Sequence, residues 1–366
     1  MSTMGKIATD DQLEHAGIER LYGFCKSVLI SVGADEPTAA AATDAMLHGS
    51  RLGVDSHGVR LLPHYVQAFA GGRLNCRPKM RLARQIGVVA NLDADHAHGA
   101  RAAYHAMDHA VEIAQSHGLA AVSIRNSSHF GPAGAYALHA ARQGLIGLAF
   151  CNSDSFVRLH DGASRFHGTN PIAMCVPAKG QKPWLLDMAT SSITYNRIQL
   201  HRSLNAPLAE NVASTETGMD TTDPDLATML APLGGIFGFK GAGLAGMVEI
   251  FSAVLSGSRL SHEILPMGGP DFSTPRNVGA FVMAMRPDAF LEQEEFDAAM
   301  HRYIEGLRSS PVRDGAKLFA PGDREWAEEA YREEHGVPID PATEKAFRRL
   351  AAEYELPLPF QTEVME

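Results

Sequence analysis

The chain alternates short apolar segments with helical patterns through its middle, and it is helical towards both ends. Between about Gly87 and Met285, segments rich in apolar and β-branched residues predict strands at 87–92, 145–150, 172–176, 184–188 and 279–285. Helical patterns lie between them at 99–117 and 243–256, and after them at 287–307, 323–335 and 341–355. Before this region Leu21, Phe24 and Val28 recur at helical spacing, and after it the chain is charged and amphipathic. This order predicts an α/β (α+β) fold, in which the two helical ends meet.

We expect three segments from this pattern. Residues 1–80 form the N-terminal part of a helical domain, residues 81–286 form an α/β domain, and residues 287–366 are helices that return to the helical domain. A length of 366 residues with 45% hydrophobic side chains can bury a large core, and about 150 residues per domain suggests two domains.

Composition narrows the class of protein. A net charge of −10 argues against nucleic acid as a partner. Residues 1–11 lack the apolar core of a signal peptide, and no stretch approaches the roughly 18 apolar residues of a membrane span, so a cytoplasmic protein without a membrane partner is expected. The four cysteines show no CxxC spacing and indicate no zinc site.

His129 is the first candidate for chemistry. It lies in Asn126-Ser-Ser-His-Phe-Gly-Pro-Ala-Gly-Ala-Tyr136, a polar, glycine-rich turn between a predicted strand at 119–124 and a predicted helix at 133–142. Imidazole exchanges protons near neutral pH, and a helix N-terminus disfavours its charged form. His129 could thus be an acid/base group, or it could only cap the turn.

A second polar turn carries His57, between helical patterns at 37–52 and from about Pro63. Within ten residues it supplies the hydroxyl of Ser56, the imidazole of His57, the guanidinium of Arg60 and the phenol of Tyr65. Loops often carry such groups for function. The alternative is structural, with Asp55 or Ser56 as an N-cap and Arg60 as a solvated charge.

The segment Gly241-Ala-Gly-Leu-Ala-Gly246 matches GxGxxG, but its context does not favour a Rossmann unit. The preceding residues 233–240 are too glycine-rich for a buried parallel strand, and mainly helices follow. Lys240 and the start of the next helix could still offer a cation and free amides to an anion such as a pyrophosphate. The glycines could equally serve close helix packing.

Three further polar groups have two interpretations each. Asp187 follows an apolar run, so it could orient a histidine, bind a hydroxyl or cap the turn before Thr190. Asn170 has both donor and acceptor atoms, so it could hold the amide of a ligand or a backbone turn. His96 and His98 could share one face of a strand as metal ligands, but no third ligand is evident and a solvated turn explains them adequately.

From about Leu13 to about Gly322 these segments, in this order, resemble the malate/L-lactate dehydrogenase family of the second type. The resemblance includes Phe166-His-Gly-Thr-Asn-Pro171 and Leu186-Asp-Met-Ala-Thr-Ser191. It implies hydride transfer between NAD or NADP, with NAD slightly favoured, and the 2-position of a small carboxylic acid, on a non-Rossmann fold with a largely antiparallel or mixed sheet. It also implies a homodimer.

Residue by residue, the resemblance assigns roles to many of the same positions. His129, His57 and Asp187 are the catalytic candidates, with His129 ahead of His57 as the acid/base. Ser56, Arg60 and Tyr65 are candidates for binding the substrate carboxylate, although the family often has its arginine at the position of Leu61 here. The positions implied for cofactor binding are Ser153, Asn170, Asp187, Met188, Ala189, Lys240, Gly241, Pro321, Gly322 and Asp323.

The expected activity is therefore that of an NAD(P)-dependent 2-hydroxyacid dehydrogenase, acting on a malate-, lactate- or ureidoglycolate-like acid. Reduction of a cyclic imino acid is the nearest alternative. Two alternatives of another class are a metal-dependent hydrolase or lyase that uses the histidine-rich turns, and a catalytically silent dimeric binding protein.

Overall fold

The computed structural model describes residues 13–360. Its strands are β1 (Glu14–Ala16), β2 (Arg81–Ile86), β3 (Val89–Asp93), β4 (Leu119–Ser127), β5 (Ile146–Cys151), β6 (Val157–Arg158), β7 (Arg165–His167), β8 (Ile172–Val176), β9 (Trp184–Met188), β10 (Ala213–Ser214), β11 (Met229–Leu230), β12 (Val278–Met285) and β13 (Val337–Ile339). The helices are α1 (Ile18–Ser31), α2 (Glu36–Arg51), α3 (Leu62–Ala70), α4 (Gly99–His117), α5 (Gly134–Ala141), α6 (Tyr195–Ser203), α7 (Phe239–Glu249), α8 (Gln293–Arg308), α9 (Asp323–His335) and α10 (Pro341–Glu353).

A seven-stranded sheet in the order β2-β3-β4-β12-β5-β8-β9 forms the centre of the middle region. In this sheet β3 and β4 are parallel and the other neighbours are antiparallel. The buried alanines of α4 lack long side chains, so α4 packs closely on one face, beside α5. On the other face Val248 of α7 packs with Phe150 and Phe281. This mixed, mainly antiparallel sheet confirms the expected non-Rossmann α/β fold.

The helical region draws its core from both ends of the chain. Its buried side chains come from residues 16–74 and again from residues 337–360. β1 pairs antiparallel with β13, with Glu14 opposite Ile339. Trp326 of α9, however, packs with the core of the main sheet. The division at residues 80 and 286 therefore stays a prediction, and residues 1–12, which include the segment examined for an export signal, lie outside the described residues.

Three elements differ from the sequence prediction. The strand expected at 87–92 corresponds to β3, which is the second strand of a hairpin. The first strand of the hairpin, β2, was not predicted, because its side chains are all exposed and give no alternation of buried and exposed residues. The helix expected at 243–256 begins earlier, at Phe239, and continues from Ile250 as a π-helical turn. The helix expected from Pro287 begins at Gln293, after a short 3₁₀ turn. No helix within residues 13–360 has the length and apolarity of a membrane span.

Candidate active site

His129 lies in the loop between β4 and α5, and this loop packs tightly on the start of α4. A Cβ at Gly99 would lie 2.4 Å from the carbonyl oxygen of Ser128 and 2.6 Å from that of His129. Only a residue without a side chain can begin α4 so close to the loop. The Tyr136 hydroxyl of α5 donates to the Phe130 carbonyl. The loop is thus held between two helices.

The His57 loop contacts the His129 loop directly. Tyr65 Oη lies 2.9 Å from His129 Nδ1. The rings of His57 and His129 stack with their centroids 5.7 Å apart and their planes inclined by 22°. Ser56 Oγ lies 2.9 Å from His57 Nδ1. The structure therefore brings together four of the predicted site residues, from the His57 turn, the following helix α3 and the distant His129 loop.

Burial keeps both imidazoles neutral. It lowers the pKa of His129 well below the ordinary 6.5, and the nearby His57 and Arg276 lower it further. Burial also lowers the pKa of His57. The helix N-terminus expected to act on His129 begins only at Gly134, so loss of solvent, rather than a helix dipole, is the main cause. A neutral imidazole at neutral pH can accept a proton.

Tyr65 supports His129 from the protein interior. Its side chain is only 2% exposed, and its ring meets that of His98 edge to face with a centroid distance of 4.2 Å. His98 is itself buried and accepts a hydrogen bond from the Ala100 backbone N–H at the start of α4. The solvated turn expected around His98 is therefore wrong. For Tyr65 the geometry favours positioning of His129 over the predicted contact with a substrate carboxylate.

Arg60 faces a different part of the molecule. Its side chain is exposed and lines a small crevice with Val337 and Asp340, at the junction of β13 and α10. Asp55, weighed as an N-cap, instead accepts hydrogen bonds of 2.6 and 3.0 Å from Arg332 of α9. This ion pair fixes the start of the His57 turn. The geometry does not support Arg60 as the substrate-carboxylate ligand.

Asp187 lies near the end of β9, in a cleft of about 230 Å³ that also contains Pro321 and Gly322. Its Oδ2 accepts a hydrogen bond of 2.7 Å from the Gly134 N–H of α5. The side chain is exposed to the cleft, and its carboxylate is turned towards the Gly134 N–H. Burial raises its pKa to about 6, opposed by the Gly134 bond and reinforced by Glu325. Asp187 thus joins the histidine loop to this cleft.

Two of the predicted cofactor positions lie on neighbouring loops, Ser153 after β5 and Asn170 before β8. Ser153 Oγ accepts from the Thr169 N–H at 3.2 Å. Asn170 is fully buried, and its amide donates to the Ala245 carbonyl at 3.0 Å and to Glu249 at 2.8 Å. Of the two roles considered for Asn170, the structural one agrees with these contacts, because its amide group anchors the loop to α7.

Lys240 lies in the first turn of α7 and not in a flexible loop before it. Its side chain is exposed, with Nζ 5.5 Å from the ring centre of Phe237. Gly241 allows close packing, because a Cβ there would lie 2.1 Å from the carbonyl oxygen of Leu233. The packing role considered for this glycine is therefore present, and Lys240 remains available to an anion.

The sequence interpretation missed two buried arginines, of which Arg276 acts electrostatically on His129. Arg276 is 2% exposed, forms an ion pair with Asp154 and donates to the Leu265 carbonyl at 2.8 Å. Arg73, also 2% exposed, donates to the Met267 carbonyl at 3.0 Å. Neither lies in a distinctive motif, so only the folded chain reveals them. Within residues 13–360 no group of three metal-binding side chains converges on one point.

Comparison with known proteins agrees with this geometry. A family model described as malate/L-lactate dehydrogenase matches residues 17–348. A malate dehydrogenase of Pyrococcus abyssi is 34% identical over 88% of this chain and 90% of its own length. A ureidoglycolate dehydrogenase (NAD(+)) of Escherichia coli O157:H7 is 30% identical, covering 88% and 91%. A (2R)-3-sulfolactate dehydrogenase (NADP(+)) of Chromohalobacter salexigens is 32% identical, covering 78% and 86%.

Solved structures show the same likeness in three dimensions. A malate dehydrogenase of Entamoeba histolytica has a TM-score of 0.89 at 28% identity, with 95% of this chain and all of that chain covered. The sulfolactate dehydrogenase of Methanocaldococcus jannaschii has a TM-score of 0.88 at 27% identity, covering 94% and 98%. The family model over residues 17–348 and the relatives of 30–34% identity show that this chain belongs to the malate/L-lactate dehydrogenase family of oxidoreductases.

Proposed function

We propose that this dehydrogenase transfers a hydride between NAD or NADP and the 2-position of a small 2-hydroxy or 2-oxo acid, with His129 as the acid/base group. The observation that carries the proposal is the contact between Tyr65 Oη and His129 Nδ1 in a setting that keeps the imidazole neutral. In oxidation the unprotonated Nε2 of His129 accepts the proton of the substrate hydroxyl.

This role fixes the tautomer. If Nε2 is to accept a proton, Nδ1 must carry the hydrogen and donate it to Tyr65 Oη. Burial raises the pKa of Tyr65, so its oxygen stays protonated and uncharged beside the imidazole. As His129 becomes positive, the hydrogen bond to Tyr65 becomes charge-assisted and strengthens. In reduction the charged imidazole, disfavoured by burial, returns its proton readily to the developing hydroxyl.

The cleft beside Asp187 suits a dinucleotide in its chemistry. Leu185 and Phe319 supply apolar wall, and the exposed guanidinium of Arg324 lies at the same cleft. Gly322 lets the turn at this cleft pack on Trp326, because a Cβ there would lie 2.7 Å from Trp326 Nε1. The residues that would hold the cofactor at this cleft are Asp187, Met188, Ala189, Pro321, Gly322 and Asp323. Further cofactor contacts outside the cleft would come from Ser153, Lys240 and Gly241. The bound nicotinamide would supply the hydride.

For the substrate carboxylate we favour Ser56 and the positive field of Arg276. Ser56 Oγ already lies beside His57, next to the imidazole of His129. Arg276 acts on His129 electrostatically, although Asp154 partly neutralises it. His57 is the rival acid/base group, since it stacks on His129 and is also neutral.

A homodimer is the proposed assembly. Five large apolar side chains have half or more of their surface exposed, and these are Ile86, Val89, Ile250, Val254 and Leu255. Ile86, Val89 and Leu255 line one apolar depression of about 290 Å³ over the open part of the main sheet. Exposed apolar surface of this kind is typical of an interface.

Val254→Glu should convert the dimer to a monomer, as measured by the molecular mass in light scattering. An unchanged mass would contradict the proposal that this surface forms the interface.

The test of the activity is oxidation of NADH or NADPH by the purified protein in the presence of 2-oxo acids or cyclic imines, followed by absorbance. His129→Asn and His57→Asn are matched variants, and the one that abolishes turnover with cofactor binding intact identifies the acid/base group. Turnover of a cyclic imine alone would favour the imino-acid reductase. Cofactor binding without any turnover would favour the catalytically silent binding protein. Metal bound in stoichiometric amount would favour the metal-dependent hydrolase or lyase.

A further inference from the structure

A cavity of about 400 Å³ lies outside the histidine site. It runs between α2 and α5, and Tyr104 of α4 and Glu329 of α9 complete its walls. Neither His129 nor Asp187 lines it. Its volume is within the range of small-molecule sites.

The charges of this cavity are unusual because most of them have no ion-pair partner. Within residues 13–360 the guanidiniums of Arg51 and Arg142 form no hydrogen bond, and the Nε of Arg51 is buried without a partner. Asp44, on the same wall, interacts with both electrostatically but forms an ion pair with neither. A buried donor without a partner is costly, so such groups are usually satisfied.

The other titratable groups of the cavity do not cancel this excess of positive charge. Glu329 is paired with Lys182 at 2.6 Å, and His139 Nε2 lies 2.6 Å from Asp108. Burial lowers the pKa of His48 to about 3, so its ring is neutral. Tyr22 and Tyr104 are uncharged, because burial raises the pKa of both phenols. The remaining unpaired charges are the two guanidiniums and the Asp44 carboxylate.

We propose that the cavity between α2 and α5 is a second ligand site, which binds a small organic carboxylate through Arg51 and Arg142. Guanidinium presents a planar pair of N–H donors that matches a carboxylate. The apolar wall formed by Pro37, Leu47 and Leu138 would hold the carbon skeleton. A ligand here would join α2, which leads into the His57 turn, to α5, which follows the His129 loop.

The test uses succinate as the carboxylate probe and inorganic phosphate as the alternative oxyanion, by isothermal titration calorimetry with the full chain. Arg142→Gln changes an exposed side chain and should weaken succinate binding about tenfold or more, since one charge-assisted pair is lost. Ala40→Leu narrows the cavity without changing charge and should also weaken binding. Arg20→Gln, an exposed arginine of α1 outside the cavity, is the matched control and should bind as the wild type does.

Succinate binding that is reduced in both cavity variants and retained in Arg20→Gln supports the proposal. Binding that survives in Arg142→Gln and Ala40→Leu would place the ligand elsewhere, for example at the histidine site, and would overturn it. Binding of phosphate alone, or no binding of either probe, would also overturn it. The outcome is independent of the dehydrogenase assay, because NADH oxidation is measured separately on the same variants.

Discussion

The contact between Tyr65 and His129 gives the sharpest prediction, through Tyr65→Phe. The change removes one hydroxyl and keeps the buried ring that packs against His98. A neutral hydrogen bond contributes about 0.5–1.5 kcal/mol and one to a charged group about 1.5–3 kcal/mol. The hydrogen bond between Tyr65 and neutral His129 is already present in the ground state. Only the additional free energy that this hydrogen bond gains as His129 becomes charged therefore affects kcat. That difference is about 1–1.5 kcal/mol, which lowers kcat by about fivefold to tenfold.

The measurement is kcat for oxidation of the hydroxy acid, with a C2-deuterated substrate to show that hydride transfer limits the rate. Tyr303→Phe removes a hydroxyl from an exposed tyrosine of α8 and is the control with unchanged kcat. The KM of the cofactor should stay close to that of the wild type, since Tyr65 lies away from the Asp187 cleft walls. If Tyr65→Phe keeps full kcat while the isotope effect shows rate-limiting hydride transfer, the positioning of His129 by Tyr65 is wrong.

Three further predictions follow from the site. His129→Asn should lower kcat by on the order of a hundredfold or more with the Kd of NADH unchanged, measured by fluorescence; wild-type turnover would exclude its acid/base role. Lys240→Ala should raise the Kd of NADH with a smaller effect on kcat, and an unaltered Kd would remove Lys240 from the cofactor site. Asp187→Asn should gain Tm relative to the wild type as pH rises from about 4 to about 7. The raised pKa of Asp187, about 6, means that the folded state holds its proton more strongly than the unfolded chain, so ionisation destabilises the wild type over this range; a Tm difference independent of pH would contradict this.

Much of the fold was predictable because periodic segments dominate it. The helices 99–117 and 323–335 and the strands 172–176 and 184–188 have the bounds expected from their patterns. The short strands β6, β7, β10 and β11 were not predicted, since two or three residues carry no measurable period. α6 was also missed, because its sequence is polar on nearly all sides.

The sequence predicted the two histidines of the candidate site, but it did not predict the residues that contact them. The turn chemistry around His57 and His129 indicates reactive groups, but nothing local indicates that these turns meet across 64 residues of sequence between Tyr65 and His129. The same limit applies to Arg60, whose direction depends on how the turn packs on β13. It applies equally to Arg276, whose burial beside Asp154 results from tertiary packing alone.

The closure of the helical region by both chain ends sets an order of folding during synthesis. α1, α2 and α3 leave the ribosome first, but their core also requires Val337, Phe347 and Phe360 from the last described residues. The apolar faces of the helices that flank the His57 turn therefore stay partly exposed to solvent while the central sheet is synthesised. Arg332, which holds Asp55 at the start of that turn, is also synthesised late.

We therefore expect the two histidines to acquire their final arrangement only when almost the whole chain has been made. Until then the apolar faces of the first helices stay partly exposed, which is a state prone to aggregation. An interrupted chain would carry a folded sheet and both histidines without a fixed contact between them.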